Sequence, residues 1–216
     1  MALKFNGIRK SGGVKVMRSV LEQTPAGEFI DFTQGFTPTE IEPFIGIPSI
    51  NPLEVDGFQV NLPSNAVEEP YGIAKELSAT LSSFELEFTA KVSVIIQMNV
   101  ALYTIQNGDY KQTGSIIVGS ANLVGWLGKN TESSNEYEDL FAMHTESDVT
   151  EESDYKFVLD GNNYEMFVND SSVASGTIPS EMQGISFDKV LITISPNDTI
   201  TSSDIENTFV KNVKVT

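Results

Sequence analysis

Tyr155-Lys-Phe-Val-Leu-Asp160-Gly-Asn-Asn163-Tyr-Glu-Met-Phe-Val168-Asn-Asp-Ser-Ser172-Val173 alternates apolar and polar residues, with turn signals at Asp160-Gly161 and Asn169-Asp170. Side chains along a strand point to opposite faces in turn, so a period of two marks a half-buried strand. Asp-Gly and Asn-Asp readily take the positive φ that tight hairpins demand. The tract predicts strand, turn, strand, turn, strand. Phe187 to Ser195 and Phe209 to Val215 add two more alternating strands.

The same period runs upstream. Phe84, Leu86, Phe88, Ala90, Val92, Val94, Ile96, Met98, Val100 and Leu102 all fall at even positions, with Glu85, Glu87, Thr89, Lys91 and Ser93 between them. A single strand of that length is unusual, so a bulge or sharp bend is expected near Lys91 to Ser93. Asn107-Gly108-Asp109 predicts another hairpin. Ser115 to Val118, Ala121 to Leu127 and Leu140 to His144 are further strand candidates. Only Glu68 to Leu81 has helical spacing, interrupted by Pro70 and Gly72. Many short strands with frequent turn signals predict an all-β fold, an antiparallel jelly-roll β-sandwich.

The N-terminal region reads differently. Seven of the nine prolines fall within residues 1–70, and proline removes a ladder donor. Phe29, Phe32, Phe36, Ile41, Phe44 and Ile45 lie among them, which is too apolar for a free linker. Residues 1–55 are therefore expected to form an extended attachment or assembly arm, and residues 56–216 the sandwich. Val14 to Leu21 is expected as a short strand or helical turn.

The net charge is −17, yet residues 1–18 contain Lys4, Arg9, Lys10, Lys15 and Arg18 and no acid. These five are the expected assembly contacts of the arm. An acidic body repels phosphate backbones, which argues against a nucleic-acid partner. There are no cysteines, hence no disulfide or thiolate chemistry. No apolar run approaches the length of a membrane span, and the first residues lack the apolar stretch of a secretory signal. Synthesis in the cytoplasm is expected.

The paired tract Tyr155 to Asn169, the following Lys189-Val-Leu-Ile-Thr-Ile-Ser195, the closing Phe209 to Val215 and the opening Ser83 to Val92 resemble strands of concanavalin A-like lectin/glucanase sandwiches, including laminin-G-type modules. The resemblance covers roughly residues 55–216. It implies a jelly roll and a saccharide ligand. The glucanases of that superfamily carry Glu, Asp and Glu along one strand, and Glu85 and Glu87 match the first two positions. The third falls at Thr89 or Ala90, neither a carboxylate, while retaining hydrolysis needs a second catalytic carboxyl group about 5–5.5 Å from the first. A sandwich with a separate arm also resembles a bacteriophage fibre, decoration or baseplate subunit.

The remaining candidates are few. Trp126, between Gly125 and Gly128, offers an apolar face with a polar edge, as sugars require, and Tyr103, Tyr110 and Tyr137 are alternative platforms. Nine acids and no base between Lys129 and Lys156 make calcium the one conceivable cofactor, although the spacing matches no EF-hand loop. His144 is the only histidine, which argues against zinc ligation and a Ser-His-Asp triad. The expected function is non-enzymatic carbohydrate binding or adhesion, on a phage virion, through Trp126, Tyr103, Tyr110, Tyr137, Glu85 and Glu87. Expected partners are a cell-surface glycan, other virion subunits and further copies of the chain. A purely structural virion or surface subunit is the first alternative, and a glucanase-type glycoside hydrolase the second.

Overall fold

The structure, a computed structural model, describes residues 2–5, 19–22, 28–38, 44, 49–54, 57–106, 110–119, 123–129, 139–146 and 151–216. Its strands are β1 (Ala2–Phe5), β2 (Ser19–Glu22), β3 (Glu28–Phe29), β4 (Ser49–Pro52), β5 (Phe58–Asn61), β6 (Tyr71–Leu81), β7 (Phe84–Lys91), β8 (Ile96–Gln106), β9 (Tyr110–Gly119), β10 (Leu123–Lys129), β11 (Asp139–Glu146), β12 (Ser153–Asp160), β13 (Asn163–Val168), β14 (Ser171–Thr177), β15 (Phe187–Pro196) and β16 (Phe209–Val215). Among the described residues a short helix, α1 (Ser202–Glu206), carries a capping box between Thr201 and Asp204. Strands β1 and β2 form, among the described residues, a separate two-stranded sheet.

Two antiparallel sheets make the sandwich. The first has the order β11-β10-β9-β8-β15-β6; the second has β14-β13-β12-β7-β16-β5-β4, with β3 paired to β16. The expected all-β jelly roll is what forms. The predicted bend lies at residues 92–95, and it does more than kink one strand: β7 belongs to the second sheet and β8 to the first. The even positions face the core on both sides of the turn, and Val94, at the turn itself, is 63% exposed. The helical spacing of Glu68 to Leu81 is overridden, because residues 71–81 are an edge strand beside β15. The Asn107-Gly108-Asp109 turn lies outside the described residues, but Gln106 pairs with Tyr110 on its two sides.

The core sits between the sheets. Leu86, Phe88 and Ala90 of β7, Phe157 and Leu159 of β12, and Val210 of β16 face Met98, Val100 and Leu102 of β8 and Val190, Ile192 and Ile194 of β15. Phe84 meets Phe157 of its own sheet and Phe187 of the other edge-on, with ring centroids 5.0 and 5.4 Å apart. This offset geometry is the one the ring quadrupoles favour. Part of the expected arm lies in this framework. Phe32 is 1% exposed in the main core, β4 pairs with β5, and β3 pairs with β16.

The hairpins follow their turn residues. Asn169 and Asp170 have φ of 49° and 62°, the I′ pattern, between Val168 and Ser171. In the Gly161-Asn162 loop only Gly161 is positive, at 59°, the II′ pattern. Nothing lies within 4 Å of where a Cβ on Gly161 would stand. Gly161→Val therefore tests backbone strain alone. It is expected to cost about 1–2 kcal/mol in a thermal melt, and an unchanged midpoint would show the turn to be loose.

Candidate functional site

The outward face of the second sheet carries a charged ladder. Register sets Lys214 of β16 opposite Glu87 of β7, Glu87 opposite Lys156 of β12, and Lys156 opposite Phe167 of β13. Directly opposed side chains stand close enough to interact. Lys214 Nζ donates to Glu87 Oε2 at 2.9 Å, and Lys156 Nζ lies 3.3 Å from Glu87 Oε1 and 3.8 Å from Glu85 Oε1. The Lys156 ammonium also sits 5.1 Å from the centre of the Phe167 ring. One row along, Thr89 Oγ1 donates to Asp154 Oδ1 at 2.6 Å, and Lys211 opposite Thr89 pairs with Glu152 at 2.6 Å.

Strict alternation cannot produce this arrangement, because Lys211 and Lys214 differ in parity. A bulge solves the problem. One extra residue in β16 shifts the register between Lys211 and Lys214, and Asn212 takes φ 57°. Val210 before the bulge and Val213 and Val215 after it stay buried, while both lysines turn outward. Asn is one of the few side chains that tolerate this left-handed backbone. Bulges commonly re-aim side chains beside binding sites.

Glu87, Thr89, Asp154, Lys156, Lys211, Asn212 and Lys214 line a groove of about 780 Å³. Phe29, Leu53 and Phe167 supply apolar wall, and Asp170 and Asn212, both at positive φ, belong to the lining as well. Tyr155, in the groove lining, stacks on Phe88 with centroids 5.2 Å apart. Burial pushes its phenol up to about 12, so it stays neutral.

Electrostatics separates the two glutamates. Burial, and then a hydrogen bond with Glu87, raise the Glu85 carboxyl above its ordinary 4.5. Burial alone would raise Glu87 too, but hydrogen bonds from Lys214 and Glu85 hold it below 4.5. The pair thus holds its first proton on Glu85. A raised carboxyl favours folding at pH below 4.5, and that contribution is lost as pH climbs through the raised value. A lowered one contributes above pH 4.5 and is lost as pH falls through the lowered value. At pH 7, Glu87→Gln is expected to destabilise by up to about 1 kcal/mol, as suits a half-exposed ion pair. Glu85→Gln is expected to be neutral or slightly stabilising there. Near pH 3 the Glu87→Gln deficit shrinks. Melting midpoints at the two pH values check the order; a larger loss for Glu85→Gln at pH 7 contradicts it.

The candidates named from sequence do not converge on one place. Glu85 and Glu87 lie on the outward face of the second sheet, whereas Tyr103 and Trp126 lie on the outward face of the first, in neighbouring rows of β8 and β10. Tyr110 begins β9, and Tyr137 lies outside the described residues. Lys4 falls in β1; Arg9, Lys10, Lys15 and Arg18 lie outside the described residues, as do Glu132, Glu136, Glu138 and Asp148 of the acidic stretch considered for calcium. No group of three or more metal-ligating side chains occurs among the described residues, and no described helix is long and apolar enough to cross a membrane. Of the two residues considered for the third position of the glucanase-like strand, Ala90 is fully buried on the core side, and Thr89 lines the groove, hydrogen-bonded to Asp154. Lys156, Lys211, Lys214, Asp154 and Asn212 were missed by the sequence reading.

The fold defined by these sheets is the concanavalin A-like jelly roll. No protein-family model matches the chain, and no curated protein matches it. Solved structures do. Porphyranase B from Zobellia galactanivorans is similar at 11% identity over 88% of each chain, with a TM-score of 0.59. A prokaryotic β-1,3-1,4-glucanase (lichenase) from a mouse hindgut metagenome is similar at 11% identity over 88% of this chain and 95% of that one, with a TM-score of 0.51. The Bacillus licheniformis β-glucanase gives 11% identity over 77% and 79%, also at 0.51. These matches correct one expectation. The chain was expected to be non-enzymatic, but the proteins sharing its fold at these scores are enzymes by name, so the sandwich is no ground for ruling out catalysis.

Proposed function

We propose that the protein engages saccharides in the groove on the outward face of its second sheet. The observation that carries this reading is Glu87 held between Lys156 and Lys214 beside the Phe167 ring. Fixed charged donors and acceptors next to an apolar wall match a sugar, which presents hydroxyls around its rim and C–H bonds on its faces. A ladder of half-exposed ion pairs adds little stability, so stability alone gives little reason to assemble it. The bulge at Asn212 in the same place turns Lys214 toward the groove, as bulges beside binding sites do. A glycan array tests the reading: reproducible binding by the parent is expected to fall about tenfold or more in Glu87→Gln and in Lys214→Met, the scale of losing one charged hydrogen bond. Binding that is indifferent to both substitutions contradicts it.

A second reading is glycoside hydrolysis on the same sheet face, which carries Glu85 beside the groove residue Glu87. It is favoured by one observation, the hydrogen-bonded Glu85 and Glu87 with their proton affinities driven apart. Such divergence separates a proton-holding carboxyl from an ionised partner. Asp154, hydrogen-bonded to Thr89, is a further carboxylate in the lining, with Glu54 and Asp170. Release of reducing sugar that vanishes in Glu85→Gln is the result this reading requires.

A further inference from the structure

The charged ladder is the middle of a longer row. Register carries it one strand further at each end: Phe29 of β3 stands opposite Lys214, and Phe167 of β13 stands opposite Lys156. The complete row is Phe167, Lys156, Glu87, Lys214 and Phe29, one residue from each of five neighbouring strands, and all five line the groove. An aromatic ring therefore stands at each end, with fixed charges between. Neighbouring strands lie about 4.8 Å apart, so four spacings set the two ends about 19 Å apart.

Both rings are held in place. The Lys156 ammonium lies over the Phe167 ring. Gly57, at φ 136°, brings backbone against Phe29: a Cβ there would stand 3.5 Å from Phe29 Cδ1 and 2.8 Å from Asn212 Oδ1. Next to Phe29, Ile30 donates its amide to the Val213 carbonyl at 2.8 Å, which fixes β3 against the bulged part of β16. Charge along the lining is nearly balanced. Four carboxylates, Glu54, Glu87, Asp154 and Asp170, face three ammoniums, Lys156, Lys211 and Lys214, in a chain of 30 acids and 13 bases. The acidic body repels a polyanion, whereas paired charges offer fixed donors and acceptors to neutral hydroxyls.

We infer that the groove takes an internal stretch of a neutral linear polysaccharide, laid across the strands. Separate sugar units meet Phe167 and Phe29, and the units between them exchange hydrogen bonds with Lys156, Glu87 and Lys214. The inference rests on the saccharide reading of this groove and adds the class of glycan. A disaccharide is too short to touch both rings. A longer chain engages them together, and its second contact forms at the high effective concentration of a tethered ligand.

The test is calorimetric titration of the parent with β-1,3-gluco-, β-1,4-gluco- and β-1,4-galacto-oligosaccharides of two to six units, and with oligogalacturonate of the same lengths. Affinity for at least one neutral series is expected to rise about tenfold between two units and the length that reaches both rings, the scale of one added aromatic contact, and then to level off. Oligogalacturonate is expected to bind more weakly at every length. Phe29→Ala and Phe167→Ala are each expected to bring the six-unit ligand down to about the parent's two-unit affinity, while Phe29→Tyr and Phe167→Tyr, which keep the ring, retain the rise. Equal affinity for two and six units in the parent overturns the proposal and leaves a short-saccharide groove standing, whether or not the alanine variants fold. Tighter binding of oligogalacturonate than of every neutral series overturns it too, as does a rise with length that survives in both alanine variants. No binding by any member of the panel overturns the saccharide reading of the groove itself, and this inference with it.

Discussion

Phe32→Ala is expected to lower the unfolding free energy by about 3–5 kcal/mol, the range for emptying a fully buried phenylalanine site. Phe32 is 1% exposed and belongs to the same cluster as Leu86, Phe157 and Val190. Asp31 caps the short turn that presents it, accepting from the Thr33 amide at 2.8 Å. The midpoint should fall by on the order of 10 °C. The same reasoning applies to a chain starting at residue 56. It would lack Phe32, β3, β4 and the Phe36–Ala74 bridge, leaving β5 as a bare edge. Such a chain is expected to lose cooperative melting. A truncated protein that melts at the parent's midpoint would show that residues 28–54 merely lie on a sandwich that stands without them.

Asn212→Val is the second large effect. A β-branched residue at φ 57° is heavily strained, at a cost of about 1–3 kcal/mol. The position is also crowded: a Cβ on Gly57 would stand 2.8 Å from Asn212 Oδ1, so that neighbour leaves little room for a new rotamer. If the bulge relaxes into regular strand, the phase of β16 slips and Lys211 and Lys214 no longer face one way. Asn212→Val should therefore lose saccharide binding as well as stability, while Asn212→Gly, free to adopt the same φ, should keep both to within about 1 kcal/mol. Melts and glycan titrations of the two variants separate these outcomes; equal behaviour of Val and Gly would mean the bulge is not held by its backbone.

The strands of the second half are legible because each rests on local chemistry. Tyr155 to Val168 shows its alternation and its turn residues, and the hairpins form as Asp160-Gly161 and Asn169-Asp170 dictate. The passage from β7 to β8 is not legible in the same way. The even positions are the buried ones both before and after residues 92–95, so period two gives no sign that the chain has changed sheets. Residues 71–81 mislead for another reason: as an edge strand with a half-exposed end, they lack clean alternation. The site is harder still. Glu85 and Glu87 are readable as an outward pair, but their lysines come from β12 and β16, and a bulge decides where Lys214 points. The separation of Trp126 and Tyr103 from Glu85 and Glu87 likewise depends on which sheet each strand joins, a matter of long-range pairing.

Backbone amide shifts of isotope-labelled protein, followed while gluco-oligosaccharide is added, test the central claim most directly. Saturable shifts are expected on β7, β12 and β16, at Glu87, Thr89, Lys156 and residues 211–214, and none in Glu87→Gln. Shifts confined to other strands, or none from any oligosaccharide on a panel, would contradict a saccharide site on the outward face of the second sheet.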